Sequence, residues 1–568
     1  MSRRLFWAVA TLVWVCVAAN AQTPSAAERV YFNAKIFTAE PEHPYADAIA
    51  IRGDKIVAVG SRPDVLKAAG ANAEIVDLHG KTLLPGFIDS HAHPIEGGLS
   101  LISADIGEKA RTVDELAAFA ADAKKSGRGM RGDILVVSGL PLMFWSKLDE
   151  LNARFNSGDY SNQAVFFQGM DGHTGWANRT LRARAAINKE FLSKLTEEQR
   201  KYYGHTPDLE PNGFGVDAGL AKIHAILPPP TPERMLEAGR AALRYNHSLG
   251  ITAWLDAIAN EPELTAYKGL AERGELSAHI AGFPRVEPRN DPQQEIARVR
   301  KLRQQFSGVT NLSIPGLKVF ADGVVEFPSQ SAALLKPYRN TGKNGDLLFE
   351  PARFAQLVTA ADKLGLIVHT HAIGDLAVRE TLNGIAAARR ANGSNGPAHT
   401  ITHLQLIDPS DMPRFAQLGV IAALQLYWAA ANADAIDIVQ PYIDPAIFPL
   451  QYPARSLLDG GTIISGASDW PVSTANVFEA IYQAETRKGP KGVLNAEQCV
   501  PRIAMFYAYT RNSARALAMQ HRIGSLAPGK QADMVLLDRD VLTVPAEEMK
   551  ETKVLWTMSG GKIVYRAE

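Results

Sequence analysis

The strongest constraint on this chain is the order of its periodicities, because helical stretches are followed by short apolar strands. "PERMLEAGRAALRYNHSLG" leads into "ITAWLDA", and "PARFAQLVTAADKLG" leads into "LIVHTHAIGD". The first member of each pair spaces its apolar residues for one face of a helix, and the second is too short for anything but a buried strand. A helix placed between successive strands makes them parallel, since a crossover of that length returns the chain to the same end of the sheet. Over a span this long the alternation predicts an α/β fold, a distorted (β/α)8 TIM barrel.

Both chain ends have a different texture. "VYFNAKIFTAE" and "AIAIRGDKIVAVG" near the start, and "GSLAPGKQADMVLLDRD" and "KVLWTMSGGKIVYRAE" near the finish, alternate with period two between Gly, Asp and Asn turns. They predict a small β-sandwich domain built from residues 26–82 and 520–568, outside a barrel spanning residues 83–519. The tract from about residue 95 to 245, with "GHTPDLEPNGFGVDAG" and three consecutive prolines at 228–230, is longer than two barrel units need. It reads as a loop-rich insertion or lid over the strand ends.

The first residues, "MSRRLFWAVATLVWVCVAANAQ", combine a basic start, an apolar run too short to span a bilayer and a small-residue site at Ala19-Asn20-Ala21. This predicts a signal peptide over residues 1–21, cleaved after Ala21, and an exported, periplasmic protein with no membrane association after cleavage. "SRRLF" also resembles a twin-arginine export signal, so the Sec and twin-arginine routes both stay open. Of the 2 cysteines, Cys16 lies in this segment and only Cys499 follows it, so the mature chain forms no internal disulfide. The 60 basic and 60 acidic residues balance, and no basic stripe offers a nucleic-acid surface.

In a parallel barrel the reactive groups sit at the C-terminal ends of the strands. "LLPGFIDSHAHP" ends an apolar strand in His91 and His93, which project to one side because strand side chains alternate. Lys318 lies in "GLKVFADG", His371 in "LIVHTHAIGD", His403 in "HTITHLQL" and Asp469 in "GTIISGASDWP". Imidazoles and a carboxylate converging on a barrel mouth suit a divalent metal, zinc above all, with one position open to water. A charged Lys318 beside such ions would be repelled by them and starved of water, so it is neutral or modified there, unless it turns away to pair with Asp322 or Glu326. His369 shares a strand face with His371 and is a second candidate ligand. Asp375 is expected to orient a histidine or cap the next helix. His173 in "DGHTGWAN" is a candidate for polarising a substrate carbonyl, and Tyr427 and Trp428 after "ALQL" for lining its pocket.

These segments resemble the amidohydrolase superfamily, in particular its amidohydrolase-3 (YtcJ-like) branch. "PGFIDSHAHP" looks like its first-strand signature, "HAIGD" its fifth, "THLQLID" its sixth and "SGASDWPV" its eighth, while "GSLAPGKQADMVLLD" matches the closing element of the small β domain. The resemblance runs from about residue 30 to 568. It implies a metal site of His91, His93, His371, His403 and Asp469, holding one or two ions, and a carboxylated Lys318 bridging two of them. It further implies a metal-dependent hydrolase of non-peptide C–N bonds, with a small amide-type substrate and Asp469 as proton shuttle. The substrate stays open among N-acyl amino acids, formamides, cyclic amides and carbamates, as does the oligomeric state. Two alternatives also remain: a lactonase or esterase using the same activated water, and a metal-bearing periplasmic binding protein without turnover.

Overall fold

Residues 28–107, 110–170, 172 and 174–568 are described in the computed structural model; the segment 1–21 expected to be a signal peptide and His173 lie outside the described residues. The helix–strand alternation becomes a parallel barrel whose strands are β1 (Phe87–Ala92), β2 (Ile251–Asp256), β3 (His279–Gly282), β4 (Gly316–Phe320), β5 (Ile367–Ala372), β6 (Thr400–His403), β7 (Ile421–Leu424) and β8 (Ile464–Gly466). Every residue of β1, β2 and β5 to β8 is buried. That is what a strand covered by helices outside and by side chains inside requires, and it explains the unbroken apolar runs.

The barrel is distorted at two seams. Regular ladders join β1 to β3 and β4 to β8 as separate arcs. The first seam is closed by chain continuing from β3, where Lys318 N donates to Pro284 O and Val286 N to Lys318 O, each at 2.9 Å. At the other, Asp469 N donates to His91 O at 2.8 Å and Ser90 Oγ to Gly466 O at 2.8 Å. Lys318, His91 and Asp469 thus all take part in the closure.

The outer helices are fixed by their ends and by their faces. Helix Pro232–Ser248 opens with Thr231, whose side chain accepts from Arg234 N, followed by a proline in the first turn. It packs on helix Pro94–Ile102, which leaves β1 directly after His93. Gly98 permits this approach, since a Cβ there would lie 1.9 Å from Ala238 O. Below them Phe87, Trp254, Tyr267 and Leu270 are almost fully buried in the main core, and each such apolar side chain contributes about 1.5–3 kcal/mol.

Between these two helices the tract read as loop-rich contains a folded unit. Its sheet runs, in spatial order, Tyr203–His205, Pro211–Val216, Thr174–Ala177, Ala164–Gly169, Ile134–Leu140 and Met130–Arg131. One face packs Phe144, Phe155, Phe167 and Trp176 and the other Phe166, Leu181, Leu220 and Ile223, so both faces have cores of their own.

The terminal segments form one sheet in the order Lys562–Arg566, Val554–Ser559, Met534–Leu537, Glu74–Pro85, Glu28–Phe37, Tyr45–Arg52, Lys55–Gly60. The chain entering Met534–Leu537 also bonds the far edge, with Ile56 N donating to Lys530 O at 2.9 Å and Ala532 N to Asp54 O at 2.8 Å. The sheet therefore curls onto itself, and Tyr31 and Trp556, on strands separated by two others, meet with ring centroids 5.9 Å apart. Strand Glu74–Pro85 passes through Gly86 straight into β1, tying the sandwich to the barrel seam.

Candidate metal centre

The alternation that aims His91 and His93 together brings both to one carboxylate. Asp469 Oδ1 lies 3.2 Å from His91 Nε2 and 3.1 Å from His93 Nε2, and Asp469 Oδ2 lies 4.0 Å from His403 Nδ1. His91, His403 and Asp469 each offer one ligand atom, and these atoms all lie within 4.8 Å of one another. Asp469 Oδ1 and His403 Nδ1 are buried without a hydrogen-bond partner, as is His93 Nδ1. Buried polar atoms are ordinarily satisfied. Three unsatisfied ones around imidazole nitrogens and a carboxylate fit a divalent cation of borderline softness.

The backbone is strained where it presents these groups. His403 has φ 76° and Asp469 φ 59°, left-handed values costing a non-glycine residue about 1–3 kcal/mol. A clamp holds Asp469 from behind. Asp89 Oδ1 accepts from His91 N at 3.1 Å and from Ser468 N at 3.0 Å, while its Oδ2 accepts from Ser468 Oγ at 2.5 Å. Burial pushes Asp89 up to about 6 despite these bonds. Asp89 carries no mark in the sequence except its oddity, a buried acid two residues before His91 in an apolar strand.

His369 is held differently from His371. His91 Nδ1 and His369 Nε2 lie 2.6 Å apart, and His369 Nδ1 lies 2.5 Å from Thr400 Oγ1. With His91 Nε2 turned to the centre, its Nδ1–H donates to His369, whose own Nδ1–H donates to the hydroxyl. His369 thus sits behind His91 and fixes its tautomer, where a carboxylate or carbonyl is the common partner of a ligating imidazole.

His371 meets His403 edge-on, with centroids 4.4 Å apart and planes at 65°, but its Nε2 faces Gly323 O at 3.1 Å and Asp322 Oδ1 at 3.5 Å. It borders the three-atom cluster without joining it, and His93 joins only through Asp469. Asp322 is engaged by the backbone, accepting from Ile373 N, Gly374 N and Ala333 N; Glu326 accepts from Gln405. Neither carboxylate pairs with Lys318, whose Nζ is fully buried and lies 3.5 Å from His91 Nε2. Asp375 begins helix Asp375–Asn392 and accepts from Leu335 N at 2.8 Å. Trp428 stacks on His403, with centroids 5.6 Å apart and planes 8° from parallel, and Tyr427 beside it is 37% exposed.

The electrostatics favour lone pairs over charge. Burial, reinforced by the Lys318 charge, pushes His91 well below its ordinary value and His371 down to about 3. Burial followed by the charge of His371 does the same to His403. Burial also lowers Lys318 to about 7. His93 is the exception: burial opposes its charge, but the Asp469 carboxylate 3.1 Å away outweighs it and raises the imidazole. Burial works against an ionised Asp469 in turn, and the neighbouring His93, together with His403 and Lys318, holds it below the ordinary carboxylate range.

Comparison with known proteins places this geometry. A sequence profile described as "Amidohydrolase family" matches residues 74–565. The chain is 29% identical over 559 residues to Protein LONG AFTER FAR-RED 3 of Arabidopsis thaliana, covering 95% of this chain and 92% of that one. It is 24% identical over 565 residues to the N-substituted formamide deformylase of Arthrobacter pascens, covering 94% and 97%. The crystal structure of an uncharacterized metal-dependent hydrolase from Pyrococcus horikoshii superposes with a TM-score of 0.72 at 24% identity, covering 92% of this chain and 99% of that one.

Proposed function

Since the chain belongs to the amidohydrolase family, we propose that it is a metal-dependent hydrolase of a non-peptide C–N bond in a small amide-type substrate. The observation that carries this reading is the convergence of His91, His403 and Asp469 within 4.8 Å at the ends of three barrel strands. In the proposed site these three would hold the ion, with His93 and His371 as the adjacent candidates to complete the set. When bound, a divalent ion, zinc in this reading, supplies Lewis acidity that lowers the pKa of water from about 15.7 to about 7.

The protein's own part is proton handling and positioning. Asp469, kept ionised by His93, accepts the proton released as the water oxygen adds to the substrate carbonyl carbon. It returns that proton to the nitrogen as the C–N bond breaks, so the products are a carboxylic acid and a neutral amine. Asp89 holds the carboxylate on station, and Trp428 forms one wall beside His403. Lys318, lowered to about 7 by burial, would as the neutral amine add carbon dioxide and lose a proton, and the resulting carbamate would be a further residue able to hold metal.

The formamide deformylase among the relatives makes N-substituted formamides the first substrates to screen, followed by N-acyl amino acids, cyclic amides and carbamates. Purified protein reconstituted with zinc should release amine from at least one class. Lys318→Ala should reduce bound metal from two ions to one; an unchanged stoichiometry rules out the bridge. No turnover of any amide by metal-loaded protein, across the whole panel, overturns the reading.

A further inference from the structure

A second feature lies where the inserted unit meets the barrel. A cavity of about 320 Å³ opens between them, with Arg131 and Ser138 on the inserted side and Leu99, Ser103, Thr231 and Arg234 on the barrel side. Three arginines line it. Arg128 is already spent on Asp122 at 2.9 Å. Arg234 Nη2 donates to Ile102 O at 2.7 Å, but its nearest carboxylate, Glu237, stands 3.8 Å from Nη1. Arg131 pairs with Ile134 through the strand ladder, but its guanidinium has no hydrogen bond or ion pair among the described residues. Burial first and the Arg234 charge second hold its guanidinium below the ordinary value, opposed only by Glu96.

Such an arrangement costs free energy as it stands. Like charges share a partly desolvated cleft, and buried charges are normally paired. Arg234 is also misplaced for its own helix. It lies in the first turn of Pro232–Ser248, where the positive end of the helix dipole disfavours a cation. An anion between the two guanidiniums relieves all three costs, and a planar carboxylate matches their forked donors. Besides the hydroxyls of Ser103, Ser138 and Thr231, the lining includes apolar Leu99 and Val136 and the stiff run Pro228 to Pro230, which has no backbone donors.

We propose that this cleft binds a small carboxylate with an aliphatic body, the head on Arg131 and Arg234 and the chain along the prolines. Helix Pro94–Ile102 starts directly after His93 and reaches the cleft through Leu99, so the cleft adjoins the barrel mouth. The carboxylate belongs either to the substrate or to a separate ligand. The site itself does not depend on the hydrolytic reading.

The test uses the full metal-loaded protein at low ionic strength with hexanoate, its neutral counterpart hexanamide and inorganic phosphate. Hexanoate should raise the melting temperature and hexanamide should not; R131Q should fold with an unreduced melting temperature, since it loses no internal partner, and should weaken hexanoate binding at least tenfold, as should R234Q. Equal responses to hexanoate and hexanamide, a response to phosphate alone, or an R131Q protein that still binds hexanoate would each overturn the proposal. Kinetics then separates the two sources. A tenfold rise in KM of R131Q for a carboxylate-bearing amide but not its methyl ester makes the anion the substrate's own. Unchanged KM for both, with hexanoate binding lost, makes it a separate ligand. Because the binding arm needs no turnover, an inactive protein that still binds hexanoate sinks the proposed reaction and leaves the cleft standing.

Discussion

His399, immediately before β6, and His403, at its end, are both buried, 0% and 3% exposed, yet they face opposite fates. His399 is complete: its Nδ1 accepts from Val368 N at 3.0 Å and its Nε2 meets Asp362 Oδ1 at 3.1 Å. Asp362 is in turn held by Arg389 and by Asn392. His403 has a left-handed backbone, an Nδ1 without a hydrogen bond, and a carboxylate oxygen only at 4.0 Å. The same residue type thus serves as mortar at the start of a strand and as an open valence at its end. A histidine–aspartate pair alone is no sign of a metal site; unsatisfied atoms held in place at a structural cost are the better signal.

The largest effect that tests this contrast is expected at Asp469. Asp469→Asn keeps the shape of the site and removes the proton acceptor, so turnover should fall about 10²–10⁴-fold, with metal content close to parental by elemental analysis. Parental rates in that variant would end the proton-shuttle assignment. Next comes a crossover between the two histidines. His399→Ala strands the Val368 N–H and takes one partner from Asp362, and should cost about 1–3 kcal/mol of folding stability while kcat stays within a few-fold. His403→Ala should abolish metal uptake and turnover, yet unfold in the metal-free state at nearly the parental denaturant concentration. If His399→Ala is instead the variant that loses metal, the division of β6 into mortar and valence is wrong.

A smaller effect is expected one layer back. His369→Phe removes the acceptor for His91 Nδ1–H and should weaken metal binding by about 10–100-fold, measured by competition with a chromogenic chelator; unchanged affinity would leave His369 a packing residue.

The sequence made β1, β2, β4, β5, β6 and β8 legible because strand ends, helix starts and the HxH spacing leave local periodic marks. The same marks brought His91, His93, Lys318, His371, His403 and Asp469 forward as a set. What stayed illegible depends on pairings between remote segments. Asp89 becomes a clamp only by meeting Ser468, 379 residues away. His369 and His371 occupy one strand face, and the choice between them rests on which imidazole points at His91, a matter of barrel curvature that a period of two does not encode. The inserted sheet read as loop because its strands are short and interrupted by left-handed glycines such as Gly139, Gly172 and Gly213, while the aromatic residues that weld it, Phe167 and Trp176, are spread among them.

The smallest effect concerns acid. Burial works to raise the Asp362 carboxyl, but the hydrogen bonds from His399 and Asn392, with the charges of His399 and Arg389, outweigh it and leave the pKa lowered. A carboxyl whose folded value is depressed binds its proton more readily when unfolded. Its contribution is therefore fully present above the unfolded value of about 3.9 and is lost as pH falls through the folded one. The stability gap between the parental protein and Asp362→Asn, measured by urea unfolding, should be constant from about pH 7 to about pH 5 and close below about pH 3.9. A gap that widens in acid would mean that Asp362 is protonated in the fold. His399 would then lose its anionic partner, and the contrast with His403 would rest on hydrogen-bond counting alone.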